Sequence, residues 1–351
     1  MRISVTPILL FCWILFMNMD CDPDNYRFEY DMAVGETPAN LNRLNTEYDD
    51  YNSDLPFDYK GLTLTYSTNR ASTGGQFDFR SVGLSVTYHE RDGLVNITFS
   101  TNPDKGSYPE MRTYETAILR VVTTLSDELG PASYRNIDGW DYFLYSNNES
   151  GHFQIKMVYN SSTEYSPFVD GIEGLNGPFT LSLNSGQEDN LYPALSKDVS
   201  TMFFCSNRSG EFFDIYAMEM DSSRLIHEVL LDEETVPEVS VMEELSSEGN
   251  DKCPSVTGDL LVFTSDREGG MGGFDLYYSV REEDHWGEPV NFGPEINTSA
   301  DEYRPITFVV GAMGVMIFSS NRPGGAGGFD LYAVQIPDLS SHIYDGWYMY
   351  Y

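Results

Sequence analysis

Four stretches of the chain carry the same order of residues. They are Tyr66-Ser-Thr-Asn-Arg70 with Phe77-Asp-Phe79, Phe204-Cys-Ser-Asn-Arg208 with Phe213-Asp-Ile-Tyr216, Phe263-Thr-Ser-Asp-Arg267 with Phe274-Asp-Leu-Tyr277, and Phe318-Ser-Ser-Asn-Arg322 with Phe329-Asp-Leu-Tyr332. A chain built this way is a repeat protein, and the repeat limits the fold more than any single residue does. Each copy is an apolar run ending in a polar Ser/Asn/Arg corner, then a loop, then a run alternating aromatic and polar residues, which predicts a hairpin.

Two weaker copies, Phe99-Ser-Thr-Asn102 and Tyr145-Ser-Asn-Asn148, raise the count to six, with corners at 69, 102, 148, 207, 266 and 321. Most intervals have room for four short strands, and radially arranged four-stranded sheets form propellers of about 4–8 blades. The expectation is an all-β fold, a single β-propeller of six four-stranded blades. Asn69, Arg70, Asp78, Asn207, Arg208, Asp214, Asp266, Arg267, Asp275, Asn321, Arg322 and Asp330 recur with the repeat. A catalytic site is normally built once, so these residues read as a structural motif of turn caps and Asp–Arg pairs.

The chain's two ends echo each other. Pro38-Ala-Asn-Leu41 with Leu44-Asn-Thr46 repeats Pro289-Val-Asn-Phe292 with Ile296-Asn-Thr298, and nothing comparable follows Tyr332. The repeat is therefore out of phase with the blades, and residues near 38–42 are expected to pair with the blade containing 317–332, closing the ring with an N-terminal strand.

The Ser-Asn-Arg corner, its Gly-Gly-x-Gly-Gly-Phe-Asp-Leu-Tyr continuation, and the upstream Trp286-Gly-Glu-Pro-Val-Asn291 and Asp301-Glu-Tyr-Arg-Pro305 segments resemble WD-like β-propeller repeats of the TolB type. The resemblance is closest over 183–332. It implies a non-catalytic, envelope-associated interaction scaffold with protein partners in a Gram-negative periplasm or outer membrane. Such repeats are often joined to a peptidoglycan-binding domain; here the sequence ends soon after the last repeat, so direct cell-wall anchoring is not part of the expectation.

Arg2 followed by the apolar run Ile8–Met17 reads as a secretory signal too short to span a bilayer. The chain divides into a leader at 1–21, a propeller at 22–337 and an aromatic tail at 338–351. Cys21 stands where a lipoprotein cysteine would be acylated, which would make a lipid anchor the only membrane contact. Asn18, Met19 and Asp20 depart from the small residues such processing prefers, so a cleaved soluble form stays open. Cys205 and Cys253 sit at different repeat positions; burial as small apolar residues and a disulfide both remain open.

With 20 Lys and Arg against 55 Asp and Glu, the formal charge is −35, which excludes nucleic acid and anionic lipid surfaces as partners. The glycine runs 269–273 and 324–328 lead into strands rather than helices, so they do not form phosphate cradles. No Gly-x-Ser-x-Gly or His-Glu-x-x-His motif occurs, and the five histidines are scattered. No metal or cofactor is expected, and the chain reads as a non-enzyme. The alternative is a glycan-binding or glycan-cleaving propeller, since two carboxylates across a central funnel suffice for glycoside hydrolysis.

Overall fold

The structure, a computed structural model, describes residues 31–343 apart from 56, 59–60, 100–116, 137–138, 162–173, 236–237 and 284. The leader with Cys21, the residues around Asn102 and the tail from 344 lie outside the described residues. Among those described, no helix is long and apolar enough to cross a membrane.

The alternating runs fold into five antiparallel sheets around one axis. From the axis outward, blade 1 is Asp50–Asp54, Gly61–Thr68, Asp78–His89, Leu94–Phe99 and Met32–Val34, with the short Phe57–Asp58 beside the second strand. Blade 2 is Glu128–Arg135, Trp140–Asn147, Gln154–Ser161 and Leu175–Thr180. Blade 3 is Asn190–Leu195, Thr201–Ser206, Asp214–Glu219 and Val239–Val241. Blade 4 is Asp251–Thr257, Leu260–Ser265 and Asp275–Glu282, edged by His285–Trp286 and Val290–Asn291. Blade 5 is Glu302–Val310, Met313–Ser320, Asp330–Gln335 and Ala39–Asn40.

The expected six blades are therefore five. The strand ending at Phe99 is not the second strand of a new blade; it lies fourth from the axis in blade 1, between Asp78–His89 and Met32–Val34. Unlike Tyr145-Ser-Asn-Asn148, which is followed by Phe153-Gln-Ile155, the Phe99 copy has no phenylalanine-led run after it.

Consecutive blades are joined by one device used five times. The backbone N–H of the loop phenylalanine donates to an Asp or Asn just before the next innermost strand: Phe77 to Asp127, Phe153 to Asp189, Phe213 to Asn250, Phe274 to Asp301 and Phe329 to Asp49. The next residue's N–H returns to the phenylalanine carbonyl at 2.7–2.9 Å, from Glu128, Asn190, Asp251, Glu302 and Asp50. These ten backbone N–H groups are thus paired between sheets, where an unpaired buried amide would be costly.

The last joint, from blade 5 to blade 1, has the same form as the other four. Beside it Ala39 pairs with Ala333 and Asn40 with Tyr332. Asn40 donates to Asp330 and Asn45 to Asn40, as Asn291 donates to Asp275 and Asn297 to Asn291 in blade 4.

Apolar side chains interdigitate between blades, and a separate cluster of Leu129, Leu191, Tyr192, Cys205 and Cys253 surrounds the axis. After blade 5, the turn Pro337–Leu339 and the short helix Ser340–Ile343 pack Leu339 and Ile343 against the interface of blades 4 and 5.

Candidate functional site

The repeated corner residues lie at the blade rims, one set per blade, and do not converge. Asn69, Asn148 and Asn321 donate to Asp49, Asp127 and Asp301, while in blade 4 the partners are exchanged and Asn250 donates to Asp266. Asn207 instead accepts the Asp189 N–H. Arg70, Arg267 and Arg322 pair with the buried Asp50, Asp251 and Glu302, and each also donates to a loop carbonyl. Arg208 turns to Asn190, with Glu188 at 3.6 Å.

Asp275 and Asp330 each accept two amides of their glycine loops. Asp214 accepts from Ser209 and Asp78 from Gln76. A Cβ at Gly272 would collide with the Ala300 and Thr298 carbonyls, and one at Gly327 with those of Tyr48 and Thr46. These glycines let each loop lie flat on the next blade.

What does converge is a second recurring feature. Every innermost strand contains a register shift, and at each one a residue has positive φ: Asn52 at 57°, Gly130 at 59°, Tyr192 at 57°, Cys253 at 56° and Arg304 at 47°. The left-handed region is unfavourable for residues with a Cβ, and such strain collects at functional sites. In four blades a proline follows directly (131, 193, 254, 305); in blade 1 the follower is Ser53. These prolines thus sit at the bulges inside the strands.

Arg304 lies across the axis. Its Nη2 donates to the Pro131 carbonyl at 2.9 Å and its Nη1 to the Pro254 carbonyl at 3.3 Å, and its guanidinium is 5.4 Å from the centre of the Tyr192 ring. It is 2% exposed, and its Nε has no hydrogen-bond partner among the described residues. Tyr192 presses against Gly130, where a Cβ would meet the ring at 2.6 Å. Arginine and tyrosine therefore plug the axis.

Beyond the plug, where the innermost strands end, opens a cavity of about 170 Å³ lined by all five blades. Asp54 enters from blade 1, Ser133 and Tyr134 from blade 2, Ala194 from blade 3, Ser255 and Thr257 from blade 4, and Arg304 and Thr307 from blade 5. Asp54 accepts the Ser133 N–H at 2.9 Å. Burial raises its carboxyl to about 6, against the opposing Ser133 hydrogen bond and the Arg304 charge. The buried Thr307 hydroxyl has no partner among the described residues. A cavity like this, with convergent polar groups and a shifted carboxyl, is the default candidate for a ligand site.

Cys205 and Cys253 are free and buried beside the plug, with burial pushing the Cys205 thiol up to about 11. Among the described residues no group of three or more His, Cys, Asp or Glu is arranged to hold a metal ion. Neither Asp54 nor the positive-φ residues were picked out by the repeat. The available signal was the x-Pro step that follows the acidic or amide pair opening the innermost strand in four of the five blades.

No family model and no curated protein matches the chain. Solved structures similar to it include an α-L-arabinofuranosidase from Podospora anserina in complex with cellotriose, at 10% identity and TM-score 0.48, covering 86% of this chain and 94% of that one. An exo-1,5-α-L-arabinanase from a bovine ruminal metagenomic library gives 9% identity and TM-score 0.47, covering 83% and 94%. The GH43_1 enzyme from Xanthomonas citri complexed with xylotriose gives 9% and 0.47, covering 86% and 90%. These are glycoside hydrolases and not TolB-type proteins, so the TolB-type, WD-like assignment is withdrawn. With it go the non-enzyme reading and the envelope scaffold. The corner that carried the resemblance is a rim brace serving the blades. At such identities, what this chain does is left to its own residues.

Proposed function

We propose that the chain is a glycan-directed propeller that binds a sugar ring in the axial cavity. The carrying observation is that one cavity gathers a carboxyl, a guanidinium and hydroxyls from separate blades around a plugged axis. Asp54 and Arg304 offset each other's charge, which favours a neutral polyhydroxy ligand over an ion. At about 170 Å³ the cavity falls below the 300–1,000 Å³ of drug-sized pockets, which suits one ring of a longer chain. The apolar leader supports export, where polymeric glycans are met.

Asp54, with its carboxyl near 6, is the group suited to protonate a glycosidic oxygen. Hydrolysis also needs a second carboxylate about 5–9.5 Å away, and among the described residues lining the cavity Asp54 is the one carboxylate. Calorimetry with arabino-, xylo- and cello-oligosaccharides should detect one site that Asp54→Ala weakens at least tenfold. Equal affinity in the two proteins would remove the axial reading. Release of an aryl leaving group from aryl glycosides, lost in Asp54→Asn, would extend it from binding to cleavage. The N-terminal pairing at Ala39–Asn40 belongs to the same proposal, as the element that closes the ring and holds five blades around one cavity.

A further inference from the structure

Blade 2 is the one blade whose rim carries Glu149 where the others carry Arg70, Arg208, Arg267 and Arg322. In those blades the guanidinium has a defined setting. It meets the acidic or amide residue opening the innermost strand and a loop carbonyl two residues before a Thr or Ser. It also lies over aromatic rings, at 4.8–5.2 Å in blades 3 to 5. In blade 1, Arg70 additionally reaches the Tyr66 hydroxyl at 3.3 Å.

Blade 2 keeps the receiving side of this arrangement. Glu128 opens its innermost strand, Tyr145 occupies the Tyr66 position, and Val122 stands two residues before Thr124, as Leu44 stands before Thr46. Both Glu128 and Tyr145 are 0% exposed. Glu128 Oε1 is fully engaged, accepting from Asn147 and from both the N–H and the hydroxyl of Thr124. Glu128 Oε2 and Tyr145 Oη have no hydrogen-bond partner among the described residues. Two buried oxygens in one corner without partners call for an occupant.

The surrounding charge says which kind. Asp78 from blade 1 bears on Glu128 electrostatically, and Glu149 bears on Tyr145 from the rim. The nearby cation, Lys156, points instead at Glu149, 3.0 Å away. Among the described residues, three carboxylates against one ammonium favour a cation, and the setting in the sister blades matches a planar one with several N–H donors.

We propose that the blade 2 corner is a binding site for a guanidinium group supplied from outside the chain, taking the place that an arginine fills in the other four blades. The cation donates to Glu128 Oε2 and Tyr145 Oη, with the Tyr145 ring beneath it. This site is independent of the axial cavity.

The test is thermal unfolding of the full chain in low-millimolar guanidinium chloride, far below its denaturing range, with sodium chloride at equal ionic strength as the control. Guanidinium should raise the melting temperature saturably, as specific binding to the native state requires. Glu128→Gln should abolish the rise. Glu149→Arg should start from a higher melting temperature and show no response, because the site is filled in cis. Failure of the natural protein to respond, or an undiminished response in Glu128→Gln, overturns the proposal. If Glu128→Gln does not fold, a full response in Glu149→Arg overturns it equally. An arginine-bearing peptide that competes with the ion identifies a protein-borne source; binding of the bare ion alone identifies a small cation.

Discussion

Blades 2 and 5 solve the same problem with opposite halves of the design intact. Blade 5 has the full rim brace, in which Arg322 holds the buried Glu302 at 3.0 Å and donates to the Ile296 carbonyl at 2.7 Å. Its outer edge, however, comes from residues nearly three hundred positions away, Ala39 and Asn40. Blade 2 completes its sheet locally with Leu175–Thr180 but replaces the rim arginine with Glu149. Each blade is therefore vulnerable where the other is sound. A non-local edge makes stability depend on loop closure, whereas a missing counter-charge makes it depend on pH.

The largest expected effect tests the edge. Truncation through Asn45 removes the partners of Asp330, Leu331 and Tyr332 and exposes a strand edge. Cooperative unfolding followed by circular dichroism should be lost, with aggregation; a well-folded monomer would mean that the pairing has no part in closure.

Next in size is the brace. Arg322→Ala leaves the fully buried Glu302 carboxylate without its counter-charge, and denaturant titration should show a loss of about 3 kcal/mol. A comparable loss on Glu149→Ala in blade 2 would erase the distinction between the two corners.

The smallest effect is read from pH. Burial first, then repulsion from Asp78, raises the Glu128 carboxyl to about 7, over the opposing hydrogen bonds from Thr124 and Asn147. A carboxyl whose folded value lies above its unfolded one binds protons preferentially in the native state. Its contribution is full below the unfolded value near 4.5 and is lost as pH rises through about 7. Stability measured from pH 4.5 to 7.5 should fall on this account, and Glu128→Gln should flatten that part of the profile. An unchanged slope would assign the dependence elsewhere, for instance to Asp54 near 6.

The propeller was legible because four of the five blades spell out the rim: an Asn or Asp corner, an arginine, and a Phe-Asp strand. The blade count was misjudged at Asn102 because one motif half was given the weight of a whole. Blade 1 is wide, with strands out to Leu94–Phe99 and Met32–Val34, and its added hairpin mimics a new unit. The axial residues were illegible for a different reason. A repeat search rewards sameness, while the positions that face the axis, Asn52, Gly130, Tyr192, Cys253 and Arg304, share a backbone conformation and no chemistry. Glu128 was missed likewise, since its distinction lies in a partner that blade 2 does not have.

That shared conformation separates what the ring is from what its centre contains. Because the ladder of each innermost strand resumes beyond the positive-φ residue, one codon per blade rewrites the hub while the rim stays untouched. The hub works as a five-letter word, here Asn-Gly-Tyr-Cys-Arg, and its letters constrain one another only where they touch. The Tyr192 ring needs the missing side chain of Gly130, and Arg304 needs the carbonyls of Pro131 and Pro254. A lineage could thus change the chemistry at the axis in single steps, provided Gly130 and Tyr192 change as a pair.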